Sequence, residues 1–232
     1  MFRVGLENGV DGRSQAWVLG HPGCFAYGSD GSAALEEVPK AVKEYRSWIA
    51  AHTSDSWLAE ADIEPCEYRL DETWECYLIN SDYELSQDGY EVNAWFRHDW
   101  VPLNAEEIQR GLLLLNWGRE ELMKTVGNLN TQTLEQNYPK ERWSISGILN
   151  HIGGAEWWYL DRLGLASPRQ EVPDDPFQRL EKVRSKLVEV LPGLAGSTQV
   201  IGVSGEFWSP RKLLRRAVWH EYDHITHIRK LL

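Results

Sequence analysis

The sequence has few cysteines and no long apolar segment. Its three cysteines, Cys24, Cys66 and Cys76, fall outside any C-x-x-C spacing, and such an odd, scattered set predicts reduced thiols in a cytoplasmic protein. No run of about 18 apolar residues is present, so we expect neither a membrane-spanning helix nor a membrane partner. The opening residues, MFRVGLENGVDGR, lack the basic and apolar regions of a signal peptide, so none is expected.

Basic side chains are also scarce in the first hundred residues. Residues 1–100 carry 7 Lys and Arg against 19 Asp and Glu, whereas residues 101–232 carry 17 against 16. This asymmetry predicts two domains, 1–100 and 101–232. An acidic first domain argues against nucleic acid as a partner, because phosphate contacts need a basic face. The alternative that the acidity only confers solubility stays open.

Short β-prone runs and one helical segment fill the first domain and predict an α+β fold. The runs FRVGLE and QAWVLG are separated by NGVDGR, whose Asn-Gly and Asp-Gly pairs indicate a turn. Apolar residues then recur at helical spacing from Leu35 to Ile49, and Pro39 within this stretch predicts a kink or a restart of the helix. Residues 62–100 have β-like patterns.

The pattern changes to long helices after residue 101. Asn104 precedes an acidic first turn, Ser144 precedes the run ISGILNHIGG, Pro176 opens a third helix and Ser209-Pro210 opens a fourth. The predicted fold class is therefore an α+β N-terminal domain followed by an all-α up-and-down four-helix bundle.

Histidines on two of these helices predict a metal site. His220 and His224 are four residues apart, so they share one helix face, which is the spacing at which a helix offers two imidazoles to one metal ion. A third ligand from another helix is then expected, and His151, near the middle of the second helix, is the candidate. A triad of His220, His224 and His227 on one helix, or histidines with a purely structural role, are the alternatives.

The letters HEYDH also match the H-E-x-x-H pattern of zinc peptidases, in which the Glu, here Glu221, is the general base. That pattern needs a third ligand further along the chain, and eight residues after His224 leave no room for the usual continuation. Glu221 also points about 100° away from His220 around the helix. A peptidase is therefore disfavoured.

The segment RWSISGILNHIGGAEWWYLDRL, followed later by HEYDHITHI, resembles the DinB/YfiT-like family of four-helix metal-binding proteins over residues 104–232. The elements that carry the resemblance are Trp143-Ser144, His151, and the pair His220 and His224. The resemblance implies that these three histidines hold a divalent ion, most often zinc or nickel. His227 departs from the family pattern.

The DinB resemblance also implies an activity. It points to a thiol-dependent S-transferase or a hydrolase that acts on a small electrophilic substrate, with a low-molecular-weight thiol as a second cofactor. Glu221, Asp223 and His227 are candidates for groups that orient the rings of the metal-binding histidines without contacting the metal themselves. The catalytic and cofactor-binding residues are not identified by the sequence, and a homodimer is left open.

A second resemblance concerns residues 2–52. The run GHPGCFAYGSDGSAALEEVPKAVKEYRSWI is similar to the HicB-like antitoxin fold. It implies an alternative function, a non-catalytic binding or regulatory module in which this domain docks a protein partner and the metal is structural.

Overall fold

The computed structural model describes residues 1–55 and 66–232, which divide into two compact units. The first comprises Met1–Val101 and Gly202–Phe207, and the second comprises Pro102–Ile201 and Trp208–Leu232. No helix in the described part of the chain combines the length and apolarity that crossing a bilayer requires.

The first unit is built on a mixed four-stranded sheet. Its strand order is β3-β2-β1-β4, with β1 antiparallel to β2 and parallel to β4. Asp11 and Gly12, both at positive φ, make the turn between β1 and β2, as the Asp-Gly pair predicts. The elements of this sheet and its helices are β1 (Phe2–Val10), β2 (Arg13–Val18), β3 (Phe25–Gly28), α1 (Gly31–Glu36), α2 (Val38–Ala50) and β4 (Tyr68–Glu75).

The predicted interruption at Pro39 is confirmed. Helix α1 ends at Glu36 and α2 begins at Val38, with Pro39 in its first turn, where a missing backbone N–H costs nothing. A smaller antiparallel sheet follows, with the order β6-β5-β7, formed by β5 (Tyr77–Ile79), β6 (Leu85–Ser86) and β7 (Tyr90–Val92). The β-like pattern predicted for 62–65 lies outside the described residues.

The second unit is mainly helical, and its long helices begin where the sequence predicts. The side chains of Asn104, Ser144 and Ser209 each accept a hydrogen bond from a first-turn amide. The helices are α3 (Ala105–Val126), α4 (Thr131–Leu134), α5 (Ile145–Arg162), α6 (Pro176–Val190) and α7 (Pro210–Leu231). A hairpin of β8 (Ile201–Val203) and β9 (Glu206–Trp208) precedes α7 in the chain, and most of it belongs to the first unit.

The predicted fold class, an α+β domain followed by an all-α up-and-down four-helix bundle, is wrong. The described residues hold a mixed four-stranded sheet and seven helices that range from 4 to 22 residues. The segment between α6 and α7 forms strands instead of a plain loop. Helix α5 packs against α6, the next helix along the chain, but α7 packs against α3 and α5, so only some of the helix contacts follow chain order. Capping and periodicity mark each helix but do not say which helix covers its apolar face.

One apolar cluster fixes the helices that carry the predicted ligands. Ile152 and Ile225, which directly follow His151 and His224, are both buried in it. Burying such a side chain contributes about 1.5–3 kcal/mol, so each ligand-bearing turn is anchored by its own neighbour. The fully buried members of the cluster are Leu122, Val126, Ile145, Ile148, Leu149, Ile152, Leu180, Ile225 and Ile228.

Candidate metal centre

Three histidines from two helices meet at one point in the second unit. His151 comes from the middle of α5, and His220 and His224 come from successive turns of α7. The Nε2 atom of His220 lies 3.0 Å from Nε2 of His151 and 3.1 Å from Nε2 of His224. One nitrogen from each ring lies within 4.8 Å of the other two, so the triad is close enough to hold a metal ion.

The spacing of the triad suits a single metal ion. Two nitrogens bound tetrahedrally to one zinc ion at about 2.0–2.1 Å stand about 3.3–3.4 Å apart, so the rings need to separate by only a few tenths of an ångström from 3.0 and 3.1 Å to bind it. All three rings present the same atom, Nε2, and imidazole nitrogen suits zinc, nickel, copper and iron alike. The donor set therefore fits a metal ion but does not select one.

The protonation of the triad also suits metal binding. Burial lowers the pKa of all three imidazoles, and for His224 burial, together with His151 and His227, lowers the pKa to about 3. The Arg142 charge further lowers the pKa of His151. Because a metal binds only neutral imidazole, rings that are already neutral give up no proton when the ion enters.

Aromatic rings border the triad. The indole of Trp143 stacks on the His151 ring at a centroid distance of 4.6 Å, and Tyr159 presents its ring edge-on to His220 at 6.1 Å. Trp219 packs beside His220 at 5.6 Å. His220 is buried, whereas His151 and His224 are each partly exposed, so a ligand would reach the triad past these two rings.

Glu221 takes part in a buried group of four charges, not in the triad. This buried ion ring consists of Arg119, Glu156, Arg184 and Glu221. The two carboxylate oxygens of Glu221 accept hydrogen bonds from Arg119 Nε at 2.6 Å and from an Arg184 nitrogen at 2.5 Å. Burial alone would raise the pKa of Glu221, but the Arg184 and Arg119 guanidiniums more than offset it and lower that pKa. Glu221 is therefore a paired carboxylate and not a free base.

His227, another group predicted to support the ligands, contacts a glutamate outside the triad. His227 Nε2 lies 3.0 Å from a Glu141 oxygen, and its ring centroid is 6.1 Å from that of His224. The alternative triad of His220, His224 and His227 is therefore not the group that converges. Asp223 is half-buried on α7, between the two histidines that α7 contributes.

Sequence reasoning missed the partners of Glu221. Arg184 carried a usable signal, because it lies four residues after Leu180 and three before Leu187, within the apolar stripe of α6. Glu156 likewise lies four residues after Ile152 on α5. A charged residue in an apolar stripe is rarely buried without a partner, so these two positions indicate a buried ion pair. Nothing in the sequence shows that all four charges meet.

Comparison of the chain with family models, with curated proteins and with solved structures gives no match.

Proposed function

We propose that this protein is a metal-dependent enzyme of the DinB family, a thiol-dependent S-transferase or a hydrolase, that acts on a small electrophilic substrate. His151, His220 and His224 hold the metal, which we propose to be zinc or nickel. One observation carries the proposal. Three Nε2 atoms from two separate helices converge with separations of 3.0 and 3.1 Å, in rings that burial keeps neutral.

The charge of the three histidines determines which kind of group would bind the ion beside them. A divalent ion in this site supplies Lewis acidity, which lowers the pKa of a bound water or thiol toward neutrality or below. The three imidazoles are neutral and contribute no negative charge to offset the ion. The carboxylate of Glu221, which directly follows His220, is already paired with two guanidiniums. The site therefore favours an anionic partner, and a thiolate meets that requirement.

The aromatic side chains supply an apolar wall for the substrate. Trp143 covers one face of His151, and the edge of Tyr159 faces His220. Apolar surface of this kind excludes water and accommodates the carbon skeleton of an electrophile. The pairing of Glu221 removes it as a general base from both branches, so a thiol or a water would lose its proton through the Lewis acidity of the ion.

A metal titration followed by a transferase assay tests the proposal. We expect the chain to bind one zinc or nickel ion, and to consume bacillithiol, mycothiol or glutathione in the presence of 1-chloro-2,4-dinitrobenzene. In that reaction the thiol releases its S–H proton to solvent, a C–S bond forms, and chloride leaves with the electron pair of the C–Cl bond. His220→Ala is expected to lose both metal and activity. His227→Ala is the control, because His227 pairs with Glu141 outside the triad, and it is expected to keep both.

Two results would contradict the proposal in different ways. If the protein binds no divalent ion at the triad, the site itself is wrong. If it binds the ion but turns over neither thiols nor hydrolysable esters, the metal is structural. Tight binding of a basic protein by the acidic first unit would then favour the non-catalytic module.

A further inference from the structure

The buried ion ring draws one charged side chain from each long helix of the second unit. Arg119 comes from α3, Glu156 from α5, Arg184 from α6 and Glu221 from α7. Arg184 bonds to both carboxylates at 2.5 Å, and Arg119 bonds to Glu221 at 2.6 Å and approaches Glu156 at 3.3 Å. Each carboxylate thus meets both guanidiniums, and the four formal charges cancel.

The two arginines also join α3 and α6, the long helices that contribute no histidine to the triad. Arg119 on α3 donates a hydrogen bond to the backbone carbonyl of Leu180 on α6, at 2.6 Å. Arg184 on α6 donates in return to the backbone carbonyl of Leu115 on α3, at 2.5 Å. These reciprocal bonds fix α3 and α6 as a pair, and the same two guanidiniums then hold carboxylates on α5 and α7.

The positions of the two carboxylates place the ring next to the triad. Glu221 directly follows His220 on α7, and Glu156 follows His151 on α5 by five residues, a rise of about 7.5 Å. The acids are therefore on the helices that bear the histidines, and the bases are on the helices that bear none. Whatever fixes Glu156 relative to Glu221 also fixes His151 relative to His220.

The ring need not make the fold more stable than apolar side chains would at the same positions. Replacing a buried ionic group with apolar side chains of similar volume is often neutral or stabilising, because the charges lose their hydration on burial. Guanidinium–carboxylate pairs, in contrast, are directional and define the distance between the helices that they join.

We propose that Arg119, Glu156, Arg184 and Glu221 are positioning residues, which hold α5 and α7 so that the three Nε2 atoms converge before any metal arrives. The ring touches neither metal nor substrate, and the carboxylate of Glu221 in the H-E-x-x-H sequence serves this purpose instead of base catalysis. This inference rests on the proposed metal site, and its test separates the two.

A charge-free ring provides the test. Arg119→Met, Glu156→Leu, Arg184→Met and Glu221→Leu are combined, so that no buried charge is left unpaired. We expect this variant to keep the circular dichroism spectrum of the metal-free protein, to lose zinc affinity by about 10- to 100-fold, as outer ligand partners do, and to show an altered visible spectrum with cobalt(II). Zinc affinity and cobalt spectrum equal to those of the wild type in a folded variant would overturn the inference.

The matched control removes a different Arg–Glu pair that joins α3 and α7, two of the four helices that the ring connects. Arg211 on α7 binds Glu107 on α3 through both guanidinium nitrogens, at 2.6 and 2.8 Å, but lies nine residues before His220. The double variant Arg211→Met, Glu107→Leu is expected to bind zinc as the wild type does. An equal loss of affinity in this control would show that helix packing in general, and not the ring, supports the triad.

Crystal structures of the wild type with and without zinc decide the matter even if the charge-free variant does not fold. We expect the three Nε2 atoms to shift by less than about 0.5 Å between the two forms, which is the tolerance of a preorganised site. Histidines that come together only when zinc is present, around an unchanged ring, would overturn the inference. A wild type that binds no zinc would instead overturn the proposed function.

Discussion

At the scale of single residues, neighbouring side chains on α7 have opposite surroundings. His220 contacts two other imidazoles, whereas the carboxylate of Glu221 is enclosed by two guanidiniums. The helical turn of about 100° per residue is enough to separate these surroundings. The H-E-x-x-H sequence therefore contributes to two structures, with two of the three histidines in the triad and its glutamate in the ion ring.

The lowered pKa of His224 predicts how the stability of the metal-free protein depends on pH. The folded value of about 3 lies below the ordinary value of 6.5, so between these values the unfolded chain binds more protons than the folded one. This contribution to stability is fully present above about pH 6.5 and is lost as the pH falls toward 3. Urea unfolding between pH 7.5 and 4, in the presence of a chelator, measures it.

The variant His224→Gln isolates this contribution from that of the carboxylates, which titrate in both proteins. We expect the free energy of unfolding of the variant to fall less steeply below pH 6.5 than that of the wild type. Parallel curves for the two proteins would contradict the assigned environment of His224.

At the scale of elements, the approach of α5 to α6 depends on one of two adjacent glycines. A Cβ added at Gly153 would lie 2.9 Å from Arg179 Cγ and 3.4 Å from the Leu180 amide nitrogen, whereas no described atom would lie within 4 Å of a Cβ at Gly154. Gly153 is therefore a position at which α5 passes close to α6. Helix propensity treats the two positions alike, so only the contact distinguishes them.

Alanine at the two positions is expected to act in opposite directions. Gly154→Ala should stabilise the protein by about 0.5–1 kcal/mol, because alanine loses less backbone entropy in a helix. Gly153→Ala should be less stable than Gly154→Ala by about 1–3 kcal/mol, the usual cost of overpacking. Chemical denaturation of both variants measures this difference. Equal stabilities would mean that α5 and α6 do not approach each other as closely as described.

At the scale of the whole molecule, the triad and the ion ring both belong to the second unit. Ligand binding stabilises the folded state to which the ligand binds, by about 2.7 kcal/mol at a free concentration of 100 times Kd. Zinc is therefore expected to stabilise the helices that contribute ligands. The sheet of the first unit contributes none of the three histidines.

Hydrogen exchange with and without zinc tests this expectation. Amides of α5 and α7 should exchange more slowly when zinc is present, and amides of β1 to β4 should change little. His220→Ala serves as the control, in which zinc should change neither set. Equal slowing in the four-stranded sheet would contradict a metal effect confined to the second unit.

The sequence by itself determined the features that depend on neighbours in the chain. Asn104, Ser144 and Ser209 mark helix starts through side-chain hydrogen bonds to amides three residues away. The spacing of His220 and His224 places both on one face of α7 because the helical repeat is fixed. The same rules applied to the second long helix indicate His151 as the third histidine.

Only the tertiary structure decided which helices are neighbours, that residues 202–207 form part of a hairpin, and what surrounds Glu221. The predicted up-and-down order of helices is wrong. An apolar stripe shows that one face of a helix is buried, but it does not identify the helix that covers that face. The ion ring joins residues 28 to 102 positions apart, and no local rule relates them. Contacts over such separations are selected by the packing of the whole unit, which is why they appear only in the folded chain.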